Sequence, residues 1–194
     1  KALIAAGEAR DLKRHVLAVV RSKEKAKQQL SAFLEYGLEL IVGDVLSPLP
    51  VEEPVDYIFH GASVTASKDF VEHPVETILT TLKGTEHLLE LAREKQVRSM
   101  VYLSSMEVYG VVDPEHWNVN NVKETDYGYI DPLQVRSSYS EGKRMAEGLC
   151  GAYAHEYHVP VKTARLAQTF GAGISRQENR VFAQMARSIL KGED

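Results

Sequence analysis

Residues 97–110 read VRSMVYLSSMEVYG and residues 137–147 read SSYSEGKRMAE. The first is a β-branched and aromatic run of strand length that ends in hydroxyls, and it predicts a strand over Arg98–Ser104. The second carries small and apolar residues at helical spacing through Cys150 and Tyr153, and it predicts a helix over Tyr139–His155. Working outward, the same signals repeat. Strands are predicted at His15–Val20, Leu38–Val42, Val55–His60 and Pro160–Ala164, and helices at Lys23–Tyr36, Val75–Lys95 and Arg180–Lys191. Regular alternation of the two predicts an α/β fold, a doubly wound parallel sheet with helices on both faces. In such a sheet, ligands bind in the crevice beyond the carboxyl ends of the strands. The long irregular stretch Gly110 to Ser138, containing Trp117, has the length and composition of a functional loop.

The chain has 194 residues, enough for about one domain and a little more. It is 44% apolar and 26% charged, which excludes disorder and fibrous architectures. A net charge of −4 gives no electrostatic attraction to nucleic acid or anionic lipid, so neither is expected as a partner. Cys150 is the single cysteine, so no internal disulfide or cysteine-rich metal site can form, and no metal is expected. The longest apolar runs, Val16 to Val20 and Leu38 to Val42, fall far short of the ~20 residues that span a bilayer. Without a membrane or signal segment in view, the expectation is a cytoplasmic protein.

The opening residues read as the closing turns of a helix. At the other end, Val181, Phe182, Met185, Ile189 and Leu190 form an amphipathic stripe with nothing after it to complete a layer. The expectation is a piece of a longer protein, with a dinucleotide-binding region over 1–170 and the start of a smaller substrate-binding part over 171–194.

The strand ends carry the chemistry. Arg21, Ser22 and Lys23 follow one strand, where an arginine can pair with a 2′-phosphate or the three can simply open a helix. Asp44 follows the next, placed either to accept from an exocyclic amine or to cap the following turn. Gly61, Ala62 and Ser63 then let backbone approach a pyrophosphate or ribose. His60, alone at the end of a buried strand, reads more readily as a satisfied core residue. Ser104, Ser105 and Glu107 are delivered to the next strand end, and Tyr139 and Lys143 lie four apart on one helix face. An ammonium close to a phenol favours phenolate, so this pair is expected to lower the Tyr139 pKa toward neutrality and make it a usable acid or base. Theirs is the only Tyr-x-x-x-Lys spacing in the chain.

Together these residues resemble the extended short-chain dehydrogenase/reductase family of nucleotide-sugar epimerases and dehydratases. The resemblance rests on GDV at Gly43–Val45, HGAS at His60–Ser63, KGTEHLLELAREKQV at Lys83–Val97, VYLSSMEVYG at Val101–Gly110, YSEGK at Tyr139–Lys143 and RLAQTFGAG at Arg165–Gly173. It implies a Rossmann-type fold whose first strand and glycine-rich loop would precede Lys1, an NAD(P) cofactor, a nucleotide-sugar substrate and a homodimer. Arg21 tilts the cofactor toward NADP. By the same resemblance, Tyr139 is the acid/base, Lys143 binds the nicotinamide ribose, and Ser105 hydrogen-bonds the reacting oxygen. Glu107 is a possible second acid/base. Arg21, Ser22, Asp44, Val45, Gly61, Ala62, Ser63, Thr81, Ser104, Leu166 and Ala167 join Tyr139 and Lys143 at the cofactor, while Ser105, Met106 and Gln168 meet the substrate.

Three positions depart from the family pattern. Thr81 and Gln168 stand where asparagine is usual, and Met106 stands where dehydratases tend to carry the first of two carboxylates. The last departure weighs against a dehydratase of that type. The implied activity is therefore an epimerase passing through a keto-sugar, with an NADPH-dependent carbonyl reductase or a dehydratase as alternatives. A non-catalytic dinucleotide-binding protein is the reading from a different class.

Overall fold

The computed structural model describes residues 14–111, 122–169 and 180–192, together with positions 4, 6, 7, 9, 10, 171 and 178. Trp117, Ala172 and Gly173 lie outside the described residues. Strand β1 (Val16–Val20) pairs in parallel with β2 (Leu38–Val42), with Val16 opposite Leu38 and Val20 opposite Val42. Between them runs α1 (Lys23–Leu30), followed by a 3-10 segment, Ser31–Tyr36. The helix expected over Lys23–Tyr36 therefore changes pitch at Ser31. Lysine and glutamine occupy most of the α1 positions, and Ala26 is its one buried residue, so little packing carries the α-helix beyond Leu30.

A second parallel sheet has the order β3–β4–β5, formed by Tyr57–His60, Ser99–Ser105 and Val161–Leu166. Ile58 faces Met100, and Tyr102 faces Thr163 across these ladders. The short helix α2 (Asp69–Glu72) was not anticipated, since four residues carry no readable period. It leads into α3 (Pro74–Glu94), whose proline at the first turn costs no hydrogen bond. Helix α4 (Ser138–Glu156) crosses from β4 to β5, and α5 (Val181–Lys191) comes last. Strand and helix positions thus agree with the sequence pattern to within two residues at nearly every boundary.

Helices α3 and α4 pack against each other and against one face of β3–β4–β5. Along β4, Met100, Tyr102 and Ser104 point inward, alternating as a strand with one buried face requires. Leu88, Leu89 and Ala92 of α3 and Ala146, Cys150 and Tyr153 of α4 close over them. Each large apolar side chain fully buried there contributes ~1.5–3 kcal/mol. On the opposite face, Tyr57 and Phe59 stand exposed among the described residues.

His60 is a core residue. Its Nε2 lies 3.1 Å from Thr85 Oγ1, and burial holds its pKa down at about 4, so the ring is neutral. Thr77, Thr81 and Thr85 each donate to the carbonyl four residues back, which lets polar side chains line the buried helix face without unmet donors.

Gly110 ends the 3-10 turn Met106–Tyr109 with φ +67° and ψ −156°, a region only glycine adopts freely. A Cβ there would stand 2.6 Å from the Tyr129 carbonyl oxygen and 2.8 Å from Ile130 Cγ1. Gly110→Ala is therefore expected to destabilise the fold by ~1–3 kcal/mol. Denaturant unfolding of the two forms checks this, and equal midpoints would contradict it.

Candidate active site

Strand β4 ends in two serines of opposite fate. Ser104 points into the core, where its hydroxyl is buried without a hydrogen-bond partner. Ser105, one residue on, points the other way and caps the next turn, accepting from Glu107 N at 3.2 Å. It also lies close enough to the Tyr139 hydroxyl to lower its pKa. Tyr139 opens α4 one turn before Lys143, and the two side chains approach β4 from the same helix face.

A cavity of about 350 Å³ adjoins this point. Ser105, Met106, Glu107, Tyr139, Leu166, Ala167 and Gln168 all line it, so seven of the residues singled out in the sequence meet on one wall. Thr65, Ser67, Phe70, Glu178, Arg180, Val181 and Phe182 also line it and were not anticipated. Thr65 and Ser67 come just after the Gly61–Ser63 segment, which was their available signal. Phe70 carried none, because a single aromatic in an irregular stretch has no period.

Lys143 is only 3% exposed. Its Nζ donates to the Leu103 carbonyl at 2.8 Å and lies 4.8 Å from the Tyr102 ring centroid. Burial pushes its pKa down to about 8, with Cys150 and Glu147 acting weakly the other way. The expected lowering of the Tyr139 pKa is not found. Burial raises it, the Ser105 hydrogen bond lowers it, Glu107 raises it and Arg136 lowers it. Lys143 Nζ stands 5.8 Å from the Tyr139 ring centroid and is engaged with Leu103, so desolvation of the phenolate dominates.

The remaining predicted residues lie elsewhere. Ser22 caps α1, accepting from Lys25 N at 3.3 Å and donating to Glu24 at 3.1 Å, with Arg21 exposed beside it. Asp44 accepts from Leu46 N at 3.0 Å, the turn-capping role. The Val45 carbonyl lies 2.7 Å from His87 Nδ1. Gly61 and Ala62 are exposed at the end of β3, and Ser63 donates to the Val64 carbonyl. Thr81 was expected beside the cofactor but is fully buried, its hydroxyl spent on Thr77 and its methyl against Gly142. In this structure it serves the α3–α4 contact.

A polar network lies next to the turn that carries Glu107. Arg165 at the end of β5 forms a largely buried ion pair with Glu147 at 2.7 Å, donates to the Glu124 carbonyl and the Tyr127 hydroxyl, and stacks on Tyr109. Arg144 donates to the Val108 and Gly128 carbonyls. These two arginines tie residues 122–129 to the turn that carries Glu107.

Comparison with known proteins agrees with this geometry. Residues 2–194 match the NAD dependent epimerase/dehydratase family. Over 157 residues the chain is 37% identical to UDP-glucuronic acid decarboxylase 1 of Danio rerio, covering 81% of the chain and 36% of that protein. Over 155 residues it is 37% identical to UDP-glucuronic acid decarboxylase 6 of Arabidopsis thaliana, covering 80% of the chain and 43% of the relative. The chain thus spans well under half the length of these relatives. Among solved structures, a UDP-N-acetylglucosamine 4-epimerase from Methanobrevibacter ruminantium superposes with a TM-score of 0.77 at 19% identity, over 98% of the chain and 59% of that structure. A UDP-glucuronic acid 4-epimerase from Bacillus cereus in complex with NAD gives 0.72 at 19% identity, over 99% and 60%.

Proposed function

The chain belongs to the NAD dependent epimerase/dehydratase family, and from that premise we propose that it carries the catalytic half of an enzyme that oxidises a nucleotide-linked uronic acid at the carbon β to its carboxylate, releases carbon dioxide and reduces the ketone again. The observation that carries this reading is the meeting of Ser105, Tyr139 and Glu107 on one cavity wall, with Lys143 buried behind it. The choice of a uronate comes from the relatives, whose names specify UDP-glucuronic acid decarboxylation. The epimerase implied by the sequence shares the same oxidation step and differs only after the ketone has formed.

The residues present fit a dinucleotide. Gly61 and Ala62 offer exposed backbone at a strand end, and Ser104 holds a buried hydroxyl without a partner beside the site. An ammonium has three donors, so Lys143 can serve ribose hydroxyls while keeping its bond to Leu103. Lys143, Tyr139 and the Gly61–Ser63 segment would hold the cofactor, which supplies a hydride acceptor when bound. Both NAD and NADPH accompany structures of this fold. Arg21 supports NADP, but its neighbour Ser22 is committed to capping α1.

Once its own proton has passed to solvent, the Tyr139 phenolate takes the proton of the sugar hydroxyl as the carbon loses its hydride, with Ser105 beside the same oxygen. A ketone formed there is β to the uronate carboxylate. The carbon–carbon bond to the carboxylate then breaks, its electron pair moving toward the carbonyl oxygen. Tyr139 and Ser105 are placed to stabilise the charge that develops on that oxygen. The ring carbon that lost the carboxylate takes a proton from water, and with a bound cofactor to give the hydride back Tyr139 would return its proton to the sugar oxygen, leaving no net change in cofactor.

The full-length protein incubated with catalytic NAD and UDP-glucuronic acid, with products separated and weighed, tests this directly. The expected product has lost one carbon dioxide and keeps its nucleotide. An isomer of unchanged mass would establish the epimerase instead. Oxidation of NADPH by simple carbonyl compounds, with no change in any nucleotide-sugar, would move the protein to the reductase reading.

A further inference from the structure

Resting on the assignment of Tyr139 as the acid/base, we infer that Phe70 and Arg136 are positioning residues that clamp the Tyr139 ring and fix the charge it faces. Five residues are linked in a ring. Ser105 and Tyr139 meet at the cavity, where the serine hydroxyl favours the phenolate. Tyr139 stacks on Phe70, centroids 4.3 Å apart and planes within 9°. Arg136 lies over Phe70, its guanidinium carbon 4.8 Å from the ring centroid. The two terminal nitrogens of Arg136 donate to the two carboxylate oxygens of Glu107 at 2.9 and 3.0 Å. Glu107 closes the ring by donating its backbone N–H to Ser105.

Each member is held from outside. Phe70 is only 2% exposed, and its carbonyl accepts from Ser138 at 2.9 Å, which fastens α2 to the first turn of α4. A phenol stacked face to face in this way keeps its hydroxyl aimed at Ser105. Arginine suits the fourth position because its flat fork can bind a carboxylate with two bonds while lying on an aromatic face, which lysine cannot reproduce.

The ring also governs charge. Glu107 opposes ionisation of Tyr139 and Arg136 favours it. While they are paired, their fields largely cancel at the phenol. The other charged groups around Tyr139 are Lys143 on its own helix, Asp69 and Glu72 flanking Phe70 on α2, and Glu178 and Arg180 across the cavity. Glu72 pairs with Lys68 at 3.4 Å and Glu178 with Arg180 at 2.9 Å.

The test is a titration of Tyr139 in the full-length protein, followed by NMR of 13C-labelled tyrosine with its signal assigned by loss in Tyr139→Phe. Arg136→Met is expected to raise the midpoint and Glu107→Gln to lower it. The double variant should fall between the two, and Arg136→Lys should fail to restore the wild-type value. Phe70→Leu should lower kcat on the order of tenfold or more with little change in KM, and Phe70→Tyr should recover most of it. Unchanged midpoints in both charge variants, or shifts in the same direction, would overturn the clamp. If Phe70→Leu does not fold, the arginine and glutamate variants decide the matter alone. An active Tyr139→Phe enzyme would defeat the functional reading and leave the titration to judge the ring by itself.

Discussion

Tyr139→Phe is expected to lower kcat by about a hundredfold to ten-thousandfold, the usual range for removing a positioned acid/base, while leaving dinucleotide binding intact. The reason for the separation is geometric. Phenylalanine keeps the ring that stacks on Phe70 at 4.3 Å, so the first turn of α4 and the cavity wall keep their shape. What disappears is the hydroxyl beside Ser105. Stability should therefore change by no more than ~1 kcal/mol, because no core volume is lost. Steady-state kinetics with UDP-glucuronic acid, beside a cofactor-binding titration, reads both halves. Loss of cofactor binding together with turnover would mean that Tyr139 is structural.

Lys143→Met should abolish turnover and yet stabilise the chain without ligand. Burial holds the ammonium down at about 8, well below the 10.5 of an exposed lysine. Between those values the unfolded chain binds more protons than the folded one, so the stability of the wild type rises with pH across that window. Below pH 8 the full cost of the buried charge is present. A shift of this size corresponds to up to ~3 kcal/mol, reduced by the lost charge-assisted hydrogen bond to Leu103, worth ~1.5–3 kcal/mol. A net gain of ~1 kcal/mol at pH 7 is the expectation. Thermal unfolding of both forms should show the variant's advantage shrinking from pH 8 to pH 10.5. A variant less stable at pH 7, with a gap independent of pH, would show that burial of Lys143 carries no such cost. A residue kept at a cost to the fold is one retained for chemistry.

Much of this was legible in the sequence because the strands are short and the helices long. Leu38–Val42 is read to the residue, and Pro74–Glu94 to within one at each end, because apolar positions recur without interruption. The constellation of Ser105, Tyr139 and Lys143 was equally visible, since a strand ending in serines and a four-residue helix spacing are local features. What the sequence did not carry is contact between distant segments. Phe70 meets Tyr139 across nearly seventy positions, and no spacing rule connects them. The Tyr139 pKa was misjudged for the same reason. Spacing placed Lys143 on the right face, but burial and the competing Leu103 carbonyl are properties of the packed core. Thr81 shows the converse: its place in a motif suggested a cofactor contact, and its packing against Gly142 gives it to the helix pair.

In the proposed reaction a hydride leaves the sugar and returns to it within one site. The most direct measurement uses UDP-glucuronic acid carrying deuterium on the ring carbon whose hydroxyl Tyr139 deprotonates, with the full-length protein and catalytic NAD. The expected result is a decarboxylated product that keeps its deuterium, with no accumulation of reduced cofactor. Deuterium washed into solvent, or one reduced cofactor released for every sugar consumed, would contradict it.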